Sequence, residues 1–194
     1  TAGPTDTPTP TPDSPLPILN LPLADSCETD AGWQVSGTWQ LDEQAGYSGR
    51  SWFADSTLRD QASTLTALVL LDLRAAQQPE LRFWQHMDLA GSDVLAIDIS
   101  LDGGQTWEPL DTQPGIRADW NQRVVDLAPY RGQVIRLRFR LDTLGAVPEG
   151  DITVGWWIDD LSVQDVPVVL PTPEPTLTPT DLPTATPFPT DTPT

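Results

Sequence analysis

QVIRLRFRLD, residues 133–142, is the stretch that decides the fold. Ile135, Leu137, Phe139 and Leu141 fall on one parity, and Arg136, Arg138 and Arg140 on the other. A period of two marks a β-strand whose apolar side covers a core while its other side meets water. On an acidic chain the arginine stripe is expected to pair with carboxylates of neighbouring strands rather than to hold an anion.

Further out, VLAIDISLD (94–102) repeats the pattern, with Leu95, Ile97, Ile99 and Leu101 expected inward and Asp98 outward. TLTALVLLDL (64–73) is continuously apolar, as a central strand covered on both faces would be. ELRFWQHMDL (80–89), WQVSGTWQL (33–41), NQRVVDL (121–127) and ITVGWWIDDLSV (152–163) bring the total to at least seven strands. Gly and Pro residues separate them at short intervals. The expectation is an all-β fold: a two-sheet antiparallel β-sandwich, a jelly roll of the concanavalin-like or galactose-binding-like kind. The eight tryptophans are expected to fill the space between the sheets, with one or two showing a face to solvent.

The ends differ from the middle. Residues 1–23 and 167–194 are Pro/Thr-rich and poor in apolar mass, and are read as disordered, extended linkers of the kind that carry O-glycans. One domain is expected at residues 24–166. The chain has 28 acidic residues against 10 basic ones, all of them arginine, for a net charge of −18. That balance argues against nucleic-acid or anionic-membrane partners and suits an extracellular, secreted or surface-attached protein. No run of apolar residues is long enough to span a membrane. Cys27 is the only cysteine, so it is read as a small buried hydrophobe. A chain that opens on Thr1 between two tethers is expected to be a segment of a longer protein and to act as a monomer.

SLDGGQTW (100–107) resembles the Asp-box, a short repeat of secreted β-proteins. Asp102, Gly103 and Gly104 suit a hairpin corner, with Trp107 folded beneath it, and this places Asp102 in a turn rather than in an active site.

Three longer stretches carry a second resemblance. They are DSCETDAGWQVSGTWQL, the run from STLTALVLLDL to SLDGGQTW, and DLAPYRGQVIRLRFRLD followed by GWWIDDLSV. Together they resemble the MAM-type jelly-roll domain, in the bacterial form found after the catalytic domain of immune-inhibitor-A-like metallopeptidases and in other cell-surface proteins. The cysteines of animal MAM domains are missing, and Ser26-Cys27 stands where an aromatic usually precedes the glutamate.

No catalytic set is legible. The single histidine, His86, lies on an expected strand, with neither a second histidine for zinc nor a Gly-x-Ser-x-Gly elbow. Metal binding is the better chemical expectation. Asp159 shares the parity of Leu161 and Val163, which would turn it inward and Asp160 outward. A buried carboxylate needs a partner. If the first and last strands run side by side, Glu28 comes near Asp159, and the resemblance implies a structural Ca²⁺ there, held by Glu28, Asp159 and Asp160. Asp25, Asp30 and Asp55 are weaker candidates, and backbone N–H groups or an arginine are the alternative partners of Asp159. For a ligand, the adjacent Trp156 and Trp157 point to opposite faces, one packed inside and one nearer solvent, while Trp52, Trp107 and Trp120 lie near turns. The functional expectation is a non-catalytic accessory or adhesion module binding a protein or glycan beside other domains of the parent chain. The alternatives are a structural spacer and an ancillary domain of a secreted metallopeptidase.

Overall fold

The computed structural model describes residues 15–43, 45–147 and 154–166. The linker readings for residues 1–14 and 167–194 lie outside these. Thirteen strands follow one another: β1 (Ile18–Asn20), β2 (Leu23–Asp25), β3 (Trp33–Ser36), β4 (Trp39–Asp42), β5 (Ser51–Asp55), β6 (Gln61–Ala67), β7 (Leu70–Asp72), β8 (Pro79–Asp88), β9 (Val94–Ser100), β10 (Glu108–Pro114), β11 (Arg117–Asp126), β12 (Val134–Thr143) and β13 (Gly155–Asp165). The described helical structure is one 3₁₀ turn, Ala128–Tyr130.

The strands form two sheets. In the seven-stranded sheet, β12 pairs with β9 on one edge and with β6 and β7 in succession on the other, and β10, β3 and β1 extend it outward. In the six-stranded sheet, β13 pairs with β8 on one edge and with β5 and β2 in succession on the other, flanked by β11 and β4. Every pairing is antiparallel except the short β1–β7 contact. The chain is therefore a two-sheet β-sandwich of jelly-roll type. β1 and β2 draw residues 18–25 into the sheets, across the expected boundary at 24, because Leu19–Leu71 and Leu23–Val163 align in register.

Ile135, Leu137, Phe139 and Leu141 are buried as their parity requires, and they meet Leu81, Phe83, Met87, Trp156 and Ile158 of the other sheet. Phe139 lies edge-on to Phe83 at 5.2 Å and touches Trp33 and Trp156 at 5.9 Å. On β9, Leu95, Ile97 and Ile99 are buried, but Leu101 is 52% exposed because the strand ends at Ser100 and turns. Asp98 sits on the solvent side yet is only 2% exposed. Arg138, its register partner, and Arg140 roof it with bonds of 3.0, 2.6 and 2.9 Å. The stretch 64–73 is not one central strand: it breaks after Ala67, where the Leu68 N–H bonds to the Gly32 carbonyl, and resumes as β7.

Four tryptophans, Trp33, Trp39, Trp52 and Trp156, fill the core. More of the eight lie outside the core than the one or two expected, since Trp84, Trp120 and Trp157 lie on the outer face of the six-stranded sheet and Trp107 at a hairpin. Trp52, although it lies near a turn, is 1% exposed because it shares the inward parity of Ala54.

Candidate functional site

Two features meet at the outer face of the six-stranded sheet: an acidic corner and a row of aromatic rings. A β-bulge on β13 creates the corner. Opposite β8 the register runs from Gly155–Asp88 to Asp159–Trp84, then resumes one residue later at Ser162–Arg82. The extra residue is at Asp160, whose φ is +45°. Before the bulge Trp156 and Ile158 face the core, and after it Leu161 and Val163 do. The inward orientation expected for Asp159 is thus corrected, because a bulge exchanges the faces. Asp159 stands beside Trp84 on the outer face and is buried for another reason.

The cover comes from residues 46–50. The Ser48 N–H bonds to Asp159 Oδ2 at 2.8 Å, the Asp160 N–H to Asp159 Oδ1 at 2.7 Å, and the Ser48 hydroxyl to Asp160 Oδ2 at 3.1 Å. Two residues on, the Arg50 N–H bonds to Glu28 Oε1 at 3.1 Å. Gly49, at φ +86°, runs so close to Glu28 that a Cβ there would stand 2.2 Å from Oε1. One loop segment therefore bridges Glu28 on one side and Asp159 and Asp160 on the other. Among the described residues no arginine pairs with Asp159, and burial raises its pKa above the ordinary carboxylate value, with the Ser48 and Asp160 N–H groups opposing that shift.

Asp25 faces Leu161 across β2–β13, but its oxygens are occupied by the Cys27 N–H at 2.8 Å and Trp33 Nε1 at 2.6 Å. Cys27 is fully buried, and burial pushes its thiol pKa far up, with Asp25, Asp159 and Asp160 adding to the shift. Asp30 is an exposed loop residue. Asp55 caps the Thr57 N–H at 2.7 Å, at the far end of β5 from residues 46–50. Among the described residues no group of three or more His, Cys, Asp and Glu side chains is placed to share one ion. A cation at the corner would rest on the carboxylates of Glu28, Asp159 and Asp160 completed by backbone carbonyls. The charge of Asp159, compensated only in part by the Ser48 and Asp160 N–H groups, is the feature that fits it.

The ring row begins on the same loop segment. Tyr47 stacks flat on Trp84, centroids 3.9 Å apart and planes 10° apart. Tyr47 lies 5.9 Å from Trp120, Trp120 5.9 Å from His86, His86 5.0 Å from Trp157, and Trp157 4.6 Å from Phe53. Six rings from β5, β8, β11, β13 and one loop thus form a continuous tract. Trp120 reaches it through a second bulge, between Ala118 and Asn121 on β11. Tyr47 is 45% exposed, while Trp84, His86, Trp120 and Phe53 are half-buried. Trp157 is 8% exposed and donates its indole N–H to Asp42 at 3.0 Å, whereas its neighbour Trp156 is fully buried and donates to Gln85. The sequence placed one of this pair nearer solvent but did not show the row, because Tyr47, Trp84 and Trp120 join it only through register and bulges.

Among the described residues the buried His86 Nδ1 has no hydrogen-bond partner, and the His86 ring contacts two indoles. This is not the setting of a general base, which needs an orienting acid and a nucleophile in reach. Asp102 is a hairpin corner. Its carboxylate takes the Thr106 hydroxyl and N–H, the Ser100 hydroxyl and the Gln105 N–H, and these hold its pKa well below the usual carboxylate range, the Thr106 hydroxyl foremost. Trp107 bonds to the Gly104 carbonyl at 3.1 Å and packs under Arg138, whose guanidinium carbon is 4.4 Å from the ring centroid.

All ten arginines are engaged. Arg50, Arg59, Arg74, Arg82, Arg117, Arg123, Arg138 and Arg140 bind carboxylates, and Arg131 and Arg136 bind backbone carbonyls.

The fold places the chain among jelly-roll sandwiches. No family model matches it. A curated relative, Bacillopeptidase F of Bacillus subtilis (strain 168), is 24% identical over 147 residues, covering 69% of this chain and 10% of that protein, so the chain spans about a tenth of its relative. The K1 cleaved adhesin domain of Lys-gingipain from Porphyromonas gingivalis W83 is similar in structure, with a TM-score of 0.57 and 19% identity over 76% of this chain and 99% of that one. The Endo-D glycoside hydrolase domain of Streptococcus pneumoniae R6 gives 0.52 and 14%, over 69% and 21%. The CBM22-1–GH10 modules of xylanase 10B from Clostridium thermocellum, complexed with xylohexaose, give 0.50 and 13%, over 74% and 28%. At these identities the likeness establishes the fold.

Proposed function

We propose that the chain is an extracellular, non-catalytic binding module of MAM-like type that takes a protein or glycan partner while other domains of its parent do any chemistry. The observation that carries this is the ring tract. Six aromatic groups on one outer sheet face are more than that sheet needs for its own packing, since the core on the other side is already filled. The only histidine in the tract is oriented by no acid, which favours binding over turnover. The adhesin domain and the xylohexaose-bound modules that share the fold are in keeping with this reading, as is the partial match to a peptidase for an ancillary domain. A Ca²⁺ at Glu28, Asp159 and Asp160 would neutralise the corner and fix the loop that carries Tyr47. That ion would supply only structural charge compensation.

The test is saturable binding of the full chain to a glycan array and to surface proteins of intact cells. Binding on either supports a module with a partner, and silence on both favours a spacer. For the metal, 1 mM-scale EDTA should lower the Tm and added Ca²⁺ should restore it. An unchanged Tm removes calcium.

A further inference from the structure

We infer that the ring tract on the six-stranded sheet binds an uncharged glycan chain, with Tyr47 and Trp120 as the stacking surfaces. This rests on the reading of the chain as a binding module and specifies its partner. Trp84 lies flat against one face of Tyr47, which is still 45% exposed, and the part of the ring that Trp84 leaves open serves as the platform. Trp120, 5.9 Å away and tilted by 58°, forms a wall beside it. A pyranose presents an apolar C–H face and a hydroxyl rim, and matches a flat ring with polar groups at its edge.

The rim is acidic and amidic. Asp88, which is ion-paired with Arg117 at 2.7 Å, shares the outward side of β8 with His86 and Trp84, Gln122 is paired with Trp84, and Asp42 holds the Trp157 indole. Carboxylates and amides accept bonds from hydroxyls, whereas an anionic sugar would need a cation. Every arginine is already engaged, there is no lysine, and the net charge is −18. Uronate-rich, sialylated or sulfated chains are therefore disfavoured by the net charge and by the pairing of Arg82 and Arg117 with carboxylates on this face. The platform is also pre-organised: the Ser48 and Arg50 N–H groups on either side of Gly49 are anchored to Asp159 and Glu28, so little ordering remains to be done on binding.

The experiment is affinity electrophoresis of the full chain in gels containing barley β-glucan, konjac glucomannan, galactan or neutral xylan, with polygalacturonate as the anionic comparison. The expected result is retardation by at least one neutral polymer and none by polygalacturonate. Affinity should fall at least about tenfold in Tyr47→Ala and in Trp120→Ala, the scale of one lost stacking ring, and stay unchanged in Trp107→Ala on the opposite sheet. Should a variant melt early, the wild-type chain still decides, through protection of its tryptophan fluorescence from acrylamide by the retarding polymer. No neutral retardation, binding to polygalacturonate alone, or affinity indifferent to both Tyr47 and Trp120 overturns the inference. Protein binding without glycan binding would leave the module reading standing and remove this one.

Discussion

Asp159 accepts one backbone N–H at each oxygen and meets no guanidinium among the described residues, so its buried charge is only partly compensated. Its folded pKa lies above the unfolded value, so the folded state gains relative stability as pH falls through the folded pKa and loses it on the alkaline side. In EDTA, Asp159→Asn should therefore flatten the pH dependence of Tm just above the ordinary carboxylate pKa, read by thermal melts across the acidic range. In Ca²⁺ the same variant should lose the calcium-linked rise. Asp72 behaves oppositely. Its hydrogen bonds to the Arg74 side chain lower its pKa to about 2, so its small, solvent-screened contribution is present above the ordinary carboxylate pKa and lost as pH falls towards 2. At Asp98 the effect is larger: removing a 2%-exposed carboxylate from beneath Arg138 and Arg140 should cost on the order of 2–3 kcal/mol in urea unfolding of Asp98→Ala.

The bulges are what turn ordinary strands into a site. Asp160 at φ +45° adds a residue to β13, and the half-strands on either side then present opposite parities to the core. Deleting Asp160 would bring one half-strand out of register, exposing Leu161 and Val163 or Trp156 and Ile158. The deletion should unfold the chain at 37 °C, whereas Asp160→Gly, which suits the positive φ, should keep the wild-type circular dichroism and, in EDTA, a Tm near the wild type. The strands themselves were legible from their period of two, and QVIRLRFRLD lies in β12 with every apolar residue inward. The bulge was not, because parity counted back from Leu161 and Val163 assumes an unbroken strand. Its signal was nevertheless present in WWIDDLSV: apolar residues at 156 and 158 and again at 161 and 163 are out of phase, and the two aspartates mark the break. The β9–β10 hairpin was read from Asp102 and its glycines, while the split of 64–73 had no local mark beyond the long apolar run.

Across the whole molecule, the division of the tryptophans separates stability from binding. Trp33, Trp39, Trp52 and Trp156 close the core around Phe139, and Phe139→Ala should cost about 3–5 kcal/mol, read as a lower urea midpoint at constant m-value. Trp84, Trp120 and Trp157 sit outside that core. Sequence alone could not separate the two groups, since an indole on a strand looks the same from either side until register and bulges assign its face. The pairing of β2 with β13 brought the ends of the domain together as the jelly-roll expectation required, and Glu28 with Asp159 followed from it only through the intervening loop segment. The most direct measurement is an NMR titration of the eight tryptophan indole N–H signals with the neutral polysaccharide that retards the chain most. The account predicts shifts at Trp84, Trp120 and Trp157, with Trp52, Trp156 and Trp107 unmoved. Shifts centred on Trp107, or no indole shift with any neutral glycan, would contradict it.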